Sequence, residues 1–133
     1  MNDHGITHIA LPVSSIDESI AFYQRYARME VVHRRGGVAW ISDRTRPFAI
    51  VLMQTSEEIS ALKPEAHIGV AFGSKDEVDS LFLSARAEGR VVREPEQYDP
   101  PVGYWGYIRD PDGHTLELSY GQKVEFAVHH GAA

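Results

Sequence analysis

Two patterns of apolar spacing follow one another along the chain and then begin again. From Ile6 to Val13, Ile9, Leu11 and Val13 fall on one side and His8 and Ala10 on the other, which predicts a half-buried strand. Ser15-Ile16-Asp17-Glu18 then fits a capping box, in which serine and glutamate side chains satisfy free backbone donors at a helix start. Ile16, Ile20, Tyr23 and Ala27 recur at helical spacing, so the helix is expected to cover the strand's apolar side. Glu30 to Arg35, Val38 to Asp43 and Phe48 to Gln54 read as three more strands, reversed at Gly36-Gly37 and at Arg44 to Pro47. The unit is β-α-β-β-β.

A polar stretch from Thr55 to Glu65 separates this unit from a second copy of it. Ala66 to Phe72 alternates like the first strand, and Ser74-Lys75-Asp76-Glu77 repeats the capping box. His8 to His67, Ser15 to Ser74 and Glu18 to Glu77 are each 59 residues apart, the signature of an internal duplication. Val78, Leu81, Phe82 and Ala85 form the apolar stripe of the second helix, and Gly89 is placed to end it. Strands are predicted at Arg90 to Arg93, Gly103 to Arg109 and His114 to Tyr120, with Glu94 to Val102, which holds three prolines, as an irregular loop. Pattern is lost beyond Gln122, and Val128 to Ala133 reads as a loose tail.

Near the end, Asp110-Pro111-Asp112-Gly113 predicts a tight hairpin turn. In the strand after it, Leu116, Leu118 and Tyr120 share one face, leaving Glu117 on the other between Thr115 and Ser119. A carboxylate aimed into an enclosed space needs a cation or a hydrogen-bond partner; one at a rim needs only water. Partners decide between these readings.

Composition narrows the field. The 133 residues, 43% of them hydrophobic, suffice for one well-buried core, so one domain is expected. The net charge of −6, with no Lys/Arg-rich block, argues against a broad nucleic-acid footprint. The absence of cysteine excludes disulfides and thiolate metal ligands. No run of apolar residues approaches a membrane span, and no basic segment leads into an apolar one at the N-terminus, so a soluble cytoplasmic protein is expected.

The repeated histidines carry the candidate chemistry. Each opens the first strand of its unit on the face of small residues, Ala10 beside His8, Gly69 and Ala71 beside His67. If those strands lie near a pseudo-twofold axis, His8, His67 and Glu117 converge as two imidazoles and one carboxylate with open coordination positions. Such a set suits Fe(II) and accepts Mn(II), Co(II), Ni(II) or Zn(II). A strand histidine taken singly is more often a structural residue than a ligand; the repeated spacing favours the ligand. His4, His33, His114, His129 and His130 are expected at the surface.

Paired β-α-β-β-β units, a histidine opening each, and Asp110-Pro111-Asp112-Gly113-His114-Thr115-Leu116-Glu117-Leu118 together resemble the vicinal oxygen chelate superfamily. That superfamily includes glyoxalase I, bleomycin-resistance proteins, extradiol dioxygenases, methylmalonyl-CoA epimerase and fosfomycin-modifying enzymes. The resemblance runs from about Ile6 to Gln122. It implies an α+β fold in which two paired βαβββ modules form an incompletely closed eight-stranded sheet around a central cleft. The expected domain spans residues 1–133, with modules at about 5–54 and 66–122, a linker at 55–65 and a tail at 123–133. It also implies metal ligands at His8, His67 and Glu117, a small oxygenated substrate chelated to the ion, and a homodimer in which two chains can complete each site.

Departures from the wider pattern bear on the reaction. Four-ligand members place another oxygen ligand on the last strand of the first module, here near Leu52; no carboxylate is there, and Gln54 reaches it only with a register two residues off. Tyr107 stands ten residues before Glu117, as a tyrosine does in oxygenases and thiol transferases of this superfamily, and is the candidate second catalytic residue beside Glu117. No Lys or Arg lies between Glu94 and Ile108 for a phosphonate, and no histidine between Gln97 and Gly106 for extradiol cleavage. Trp40, Tyr104, Trp105 and Tyr107 are the expected aromatic wall. The reading is a divalent-metal-dependent enzyme, with dioxygenase chemistry ahead and Fe(II) the favoured ion. The rivals are a glyoxalase-like lyase or isomerase and a metal-free bleomycin-resistance-type protein binding cationic drugs.

Overall fold

The first repeat folds as β1 (His8–Val13), α1 (Ile16–Ala27), β2 (Glu30–Arg35), β3 (Val38–Ser42) and β4 (Ala49–Gln54). Its sheet runs β1-β4-β3-β2, with β1 parallel to β4 and the other pairs antiparallel. Alternation then does what the pattern requires. Leu11, Val13, Ile41, Ile50 and Leu52 are buried under α1, whose Ile16, Ile20, Tyr23, Tyr26 and Ala27 are buried with them. The Ser15 hydroxyl accepts the Glu18 N–H at 3.3 Å, and the helix ends at Arg28 in the left-handed region, φ 54°.

The second repeat follows as β5 (His67–Phe72), α2 (Lys75–Ala87), β6 (Val91–Tyr98), β7 (Gly103–Arg109) and β8 (Thr115–Tyr120), then α3 (Val124–His130). Its sheet order, β5-β8-β7-β6, repeats the first, so the described residues hold eight strands in two open four-stranded sheets, neither closed into a barrel. The Ser74 hydroxyl accepts the Glu77 N–H at 3.2 Å, and Gly89, φ 71°, follows the end of α2. The computed structural model describes residues 2–131, and they separate into two compact units between Ala61 and Leu62.

Three expectations are corrected. The stretch Glu94 to Val102 is not all loop, because β6 continues to Tyr98. It is an edge strand, where a proline's missing N–H costs no ladder bond, and a register shift between Arg93 and Glu96 accommodates Pro95. Gly106 makes that bulge possible: a Cβ there would stand 2.6 Å from the Arg93 carbonyl and 2.8 Å from the Pro95 nitrogen. The tail is also more ordered than its pattern, since Val124–His130 is helical although none of its side chains is buried. Ala132 and Ala133 lie outside the described residues.

His114 is the third correction. It is 1% exposed, and its Nδ1 accepts the Leu62 N–H at 3.0 Å. Thr115 donates both its N–H and its hydroxyl to the Leu62 carbonyl at 2.9 Å, so the start of β8 clamps the segment leading into β5. The turn before it forms as expected, with Asp110 Oδ1 accepting the N–H groups of Asp112 and His114 at 2.8 and 2.9 Å. Among the described residues no helix is long and apolar enough to cross a membrane.

Candidate functional site

The β5-β8 ladder places Gly69 directly opposite Glu117, and the β7-β8 ladder places Tyr107 opposite it on the other side. Leu116 and Leu118 are fully buried on the opposite face of the strand, which fixes Glu117 on the open face with His67, Tyr107 and Trp105. The residue is nevertheless buried, its side chain 10% exposed. Its Oε2 accepts from Gln122 Nε2 at 3.0 Å. Gly69 leaves it room, since a Cβ there would come within 3.2 Å of Oε2.

His67 Nε2 stands 3.7 Å from Glu117 Oε1. Its other nitrogen, Nδ1, lies 2.7 Å from the Pro64 carbonyl, which can only accept, so Nδ1 carries the proton. In the neutral ring Nε2 therefore presents a lone pair toward the carboxylate. Two acceptors facing each other beyond hydrogen-bond distance, with the ring orientation held from behind by a carbonyl, match the way metal-ligating histidines are set. The separation is within the span of two ligand bonds of about 2.1 Å. These two side chains fit a divalent ion.

Around them is an aromatic wall. The Tyr107 ring is 4.9 Å from His67 and 4.8 Å from Trp105, which stacks on Tyr98 at 5.4 Å. Burial, then the Glu117 charge, raise the Tyr107 phenol above its ordinary pKa, so it stays protonated and can donate. The Trp105 indole N–H is enclosed with no acceptor among the described residues. Tyr104 does not belong to this wall: it is buried on the helix side, and its hydroxyl donates to Asp79 of α2. Sequence reasoning missed Arg93, which pairs with Tyr107 across β6-β7 and lies over Trp105 at 4.4 Å. It stands one residue before the cation-free stretch from Glu94 to Ile108.

In the first unit His8 is exposed on the open face, its Nδ1 3.0 Å from the Thr7 hydroxyl. The ladder sets Ala10 opposite Val51, as Gly69 stands opposite Glu117. The position equivalent to Glu117 is thus Val51, not Leu52, which is buried against the helix side. Gln54 also faces away, its Oε1 accepting the Ile16 N–H at 3.2 Å. A fourth protein ligand is absent from β4. His8 opens instead on a cavity of roughly 760 Å³ bordered by Trp40, Phe48, Arg35, Arg44 and Arg46. Among the described residues no three His, Asp or Glu side chains are gathered as a metal cluster; the structure brings together His67 and Glu117.

Residues 5–118 match the family model described as the Glyoxalase/Bleomycin resistance protein/Dioxygenase superfamily. The chain belongs to this superfamily. A Pseudomonas aeruginosa relative, itself uncharacterized, is 36% identical over 126 residues, covering 90% of each chain. A probable lactoylglutathione lyase of Vibrio cholerae is 25% identical, over 89% of this chain and 91% of that one. Among solved structures, a mutant of the genomically encoded fosfomycin resistance protein of Listeria monocytogenes, complexed with Mn(II) and 1S,2S-dihydroxypropylphosphonic acid, has a TM-score of 0.73 at 22% identity. The alignment covers 98% of this chain and all of that one, and it shows the shared superfamily fold.

Proposed function

We propose that this member of the superfamily is a divalent-metal-dependent enzyme, with His67 and Glu117 holding the ion and His8 completing the set. The observation that carries the reading is the His67 ring, pinned through Nδ1 to Pro64 so that Nε2 faces the buried Glu117. The two units would act as one domain over residues 1–133, and in a homodimer His8 would come either from the same chain or from the partner copy, the resemblance allowing both. When bound, the ion supplies Lewis acidity toward substrate oxygens or, as iron, the capacity to activate dioxygen.

The chain's own groups do the rest. Tyr107 donates a hydrogen bond to a substrate oxygen. Trp105 and Tyr98 restrict water around the bound molecule. Dioxygenase chemistry is the first reading, because Val51 leaves three protein donors and open positions; Fe(II) and Mn(II) are the ions to try first. Lyase chemistry is the second, favoured by the Vibrio relative's name. Storage of cationic drugs without metal fits poorly with an arginine-lined cavity.

The test is elemental analysis of untagged protein after anaerobic loading with Fe(II), Mn(II), Ni(II) or Zn(II). About one ion per chain is expected, lost in His67→Ala and Glu117→Ala proteins whose melting curves stay cooperative. Undiminished metal in both variants would overturn the proposal.

A further inference from the structure

We infer that the open face of the first unit is an anion-recognition site, in which Arg35 and Arg46 hold the carboxylate, phosphate or phosphonate of a small organic substrate and Trp40 and Phe48 hold its apolar part. The inference deepens the proposed function by giving the substrate a charge. It starts from a mismatch. The chain carries a net charge of −6, yet the cavity beside His8 is bordered by three arginines and one carboxylate, Asp3.

The arginines are not equivalent. Arg44 Nε is bound to Glu30 Oε2 at 2.9 Å, which neutralises it. Arg35 and Arg46 have no ion-pair partner among the described residues, unlike Arg34 beside them, which meets Asp17 at 2.9 Å. The loop that carries Arg46 is held from within. Asp43 Oδ1 accepts the Thr45 N–H, the Ser42 hydroxyl accepts the Arg44 N–H, and the Arg46 carbonyl accepts the Phe48 N–H, at 2.8 to 3.0 Å. Such a loop loses little freedom when an anion binds.

The apolar side is equally placed. Trp40 is 40% exposed, and the His33 ring supports it at 4.9 Å. A cavity of roughly 760 Å³ suits a molecule of drug size rather than a polymer. Guanidinium forks beside an aromatic face select an acid with a flat or apolar body, because two oxygens of a carboxylate or phosphoryl group accept paired N–H donors. His8 borders the same cavity.

The experiment uses the full chain freed of metal by chelation and measures calorimetric titrations with phenylphosphonate, benzoate and benzyltrimethylammonium. Saturable binding of an anion that weakens with salt, and no binding of the cation, is expected; the tighter anion identifies the acid class. Arg35→Gln and Arg46→Gln should each weaken it about tenfold, whereas Arg34→Gln should leave it unchanged. Failure of both anions to bind, equal binding of the ammonium, or undiminished binding in both arginine variants would overturn the inference. Because metal is absent throughout, metal uptake without anion preference would refute this inference alone, and anion binding without metal uptake would refute the proposed function alone.

Discussion

The two units share one topology and one histidine position, yet their open faces differ at nearly every residue that matters. Opposite Glu117 stands Gly69; opposite its counterpart Val51 stands Ala10. Tyr107 pairs with Arg93 where Trp40 pairs with His33. Each face carries an imidazole and a guanidinium beside an indole; the second adds a carboxylate and a phenol, and the first adds further guanidinium groups. On the proposed reading the duplicated scaffold lets two tasks diverge: one copy would keep the ion's anionic ligand, and the other would keep the counter-charge for the substrate. The comparison also explains why Gly69 and Glu117 belong together, since a side chain at position 69 would crowd Oε2.

The largest expected effect breaks the asymmetry at its source. Glu117→Ala should weaken metal binding by more than about a hundredfold, read by equilibrium dialysis, while Val51→Ala leaves it unchanged. Equal losses in the two variants would mean that the faces are not specialised. A mixing experiment comes next. His8→Ala and Glu117→Ala chains, each without metal alone, should recover about a quarter of the sites after equal mixing, because half the dimers are mixed and one of their two sites is intact. No recovery would place His8 and Glu117 of one site in the same chain.

Much of this comparison was legible in the sequence, and the remainder has identifiable causes. The constant spacing of His8 and His67 and of the two capping boxes exposed the duplication, because a helix start and a strand start are both encoded locally. Glu117 was legible from alternation. Val51 was misplaced by one residue, at Leu52, because the strand's ends do not define its face until a partner fixes the register. A turn is normally exposed, which places His114 at the surface on sequence grounds; the backbone N–H of Leu62 is what recruits it inward. The arginine cavity was illegible, since Arg35 and Arg46 come from a strand end and a loop whose path depends on tertiary hydrogen bonds. Tyr104 and Tyr107 differ by an odd number of positions, so one alternation separates a helix-side anchor from a site residue.

Backbone crowding gives a smaller, purely structural contrast. Gly106 and Ala39 occupy equivalent ladder positions, opposite Leu118 and Leu52, but only β6 carries the second bulge that leans over β7. Gly106→Ala should cost about 3 kcal/mol, since the bulge must move away from the new methyl group. Ala39→Gly should cost about 1 kcal/mol, from chain entropy and one lost buried methyl. Urea denaturation of both variants measures the difference. A Gly106→Ala protein as stable as wild type would show that the bulge is not pressed against β7.

The smallest effect concerns what each helix offers its sheet. Ile20 of α1 is buried, whereas the residue 59 positions later, Asp79 of α2, accepts a hydrogen bond from the Tyr104 hydroxyl and pairs with Lys75 at 2.9 Å. The hydrogen bond from Tyr104, then that from Lys75, holds the Asp79 carboxyl below its ordinary 3.8. A carboxyl depressed on folding stabilises the protein fully above its unfolded pKa, and that contribution disappears as pH falls through the lower folded value. Asp79→Asn should therefore lower the melting temperature at pH 7 by about 1–2 °C, a modest shift because the side chain is 40% exposed and screened. The gap should close below pH 4, where wild type loses the same term. The Ile20→Val protein, which alters only packing, should show a deficit that does not depend on pH. A pH-independent deficit in Asp79→Asn would show that the second helix, like the first, is held by packing alone.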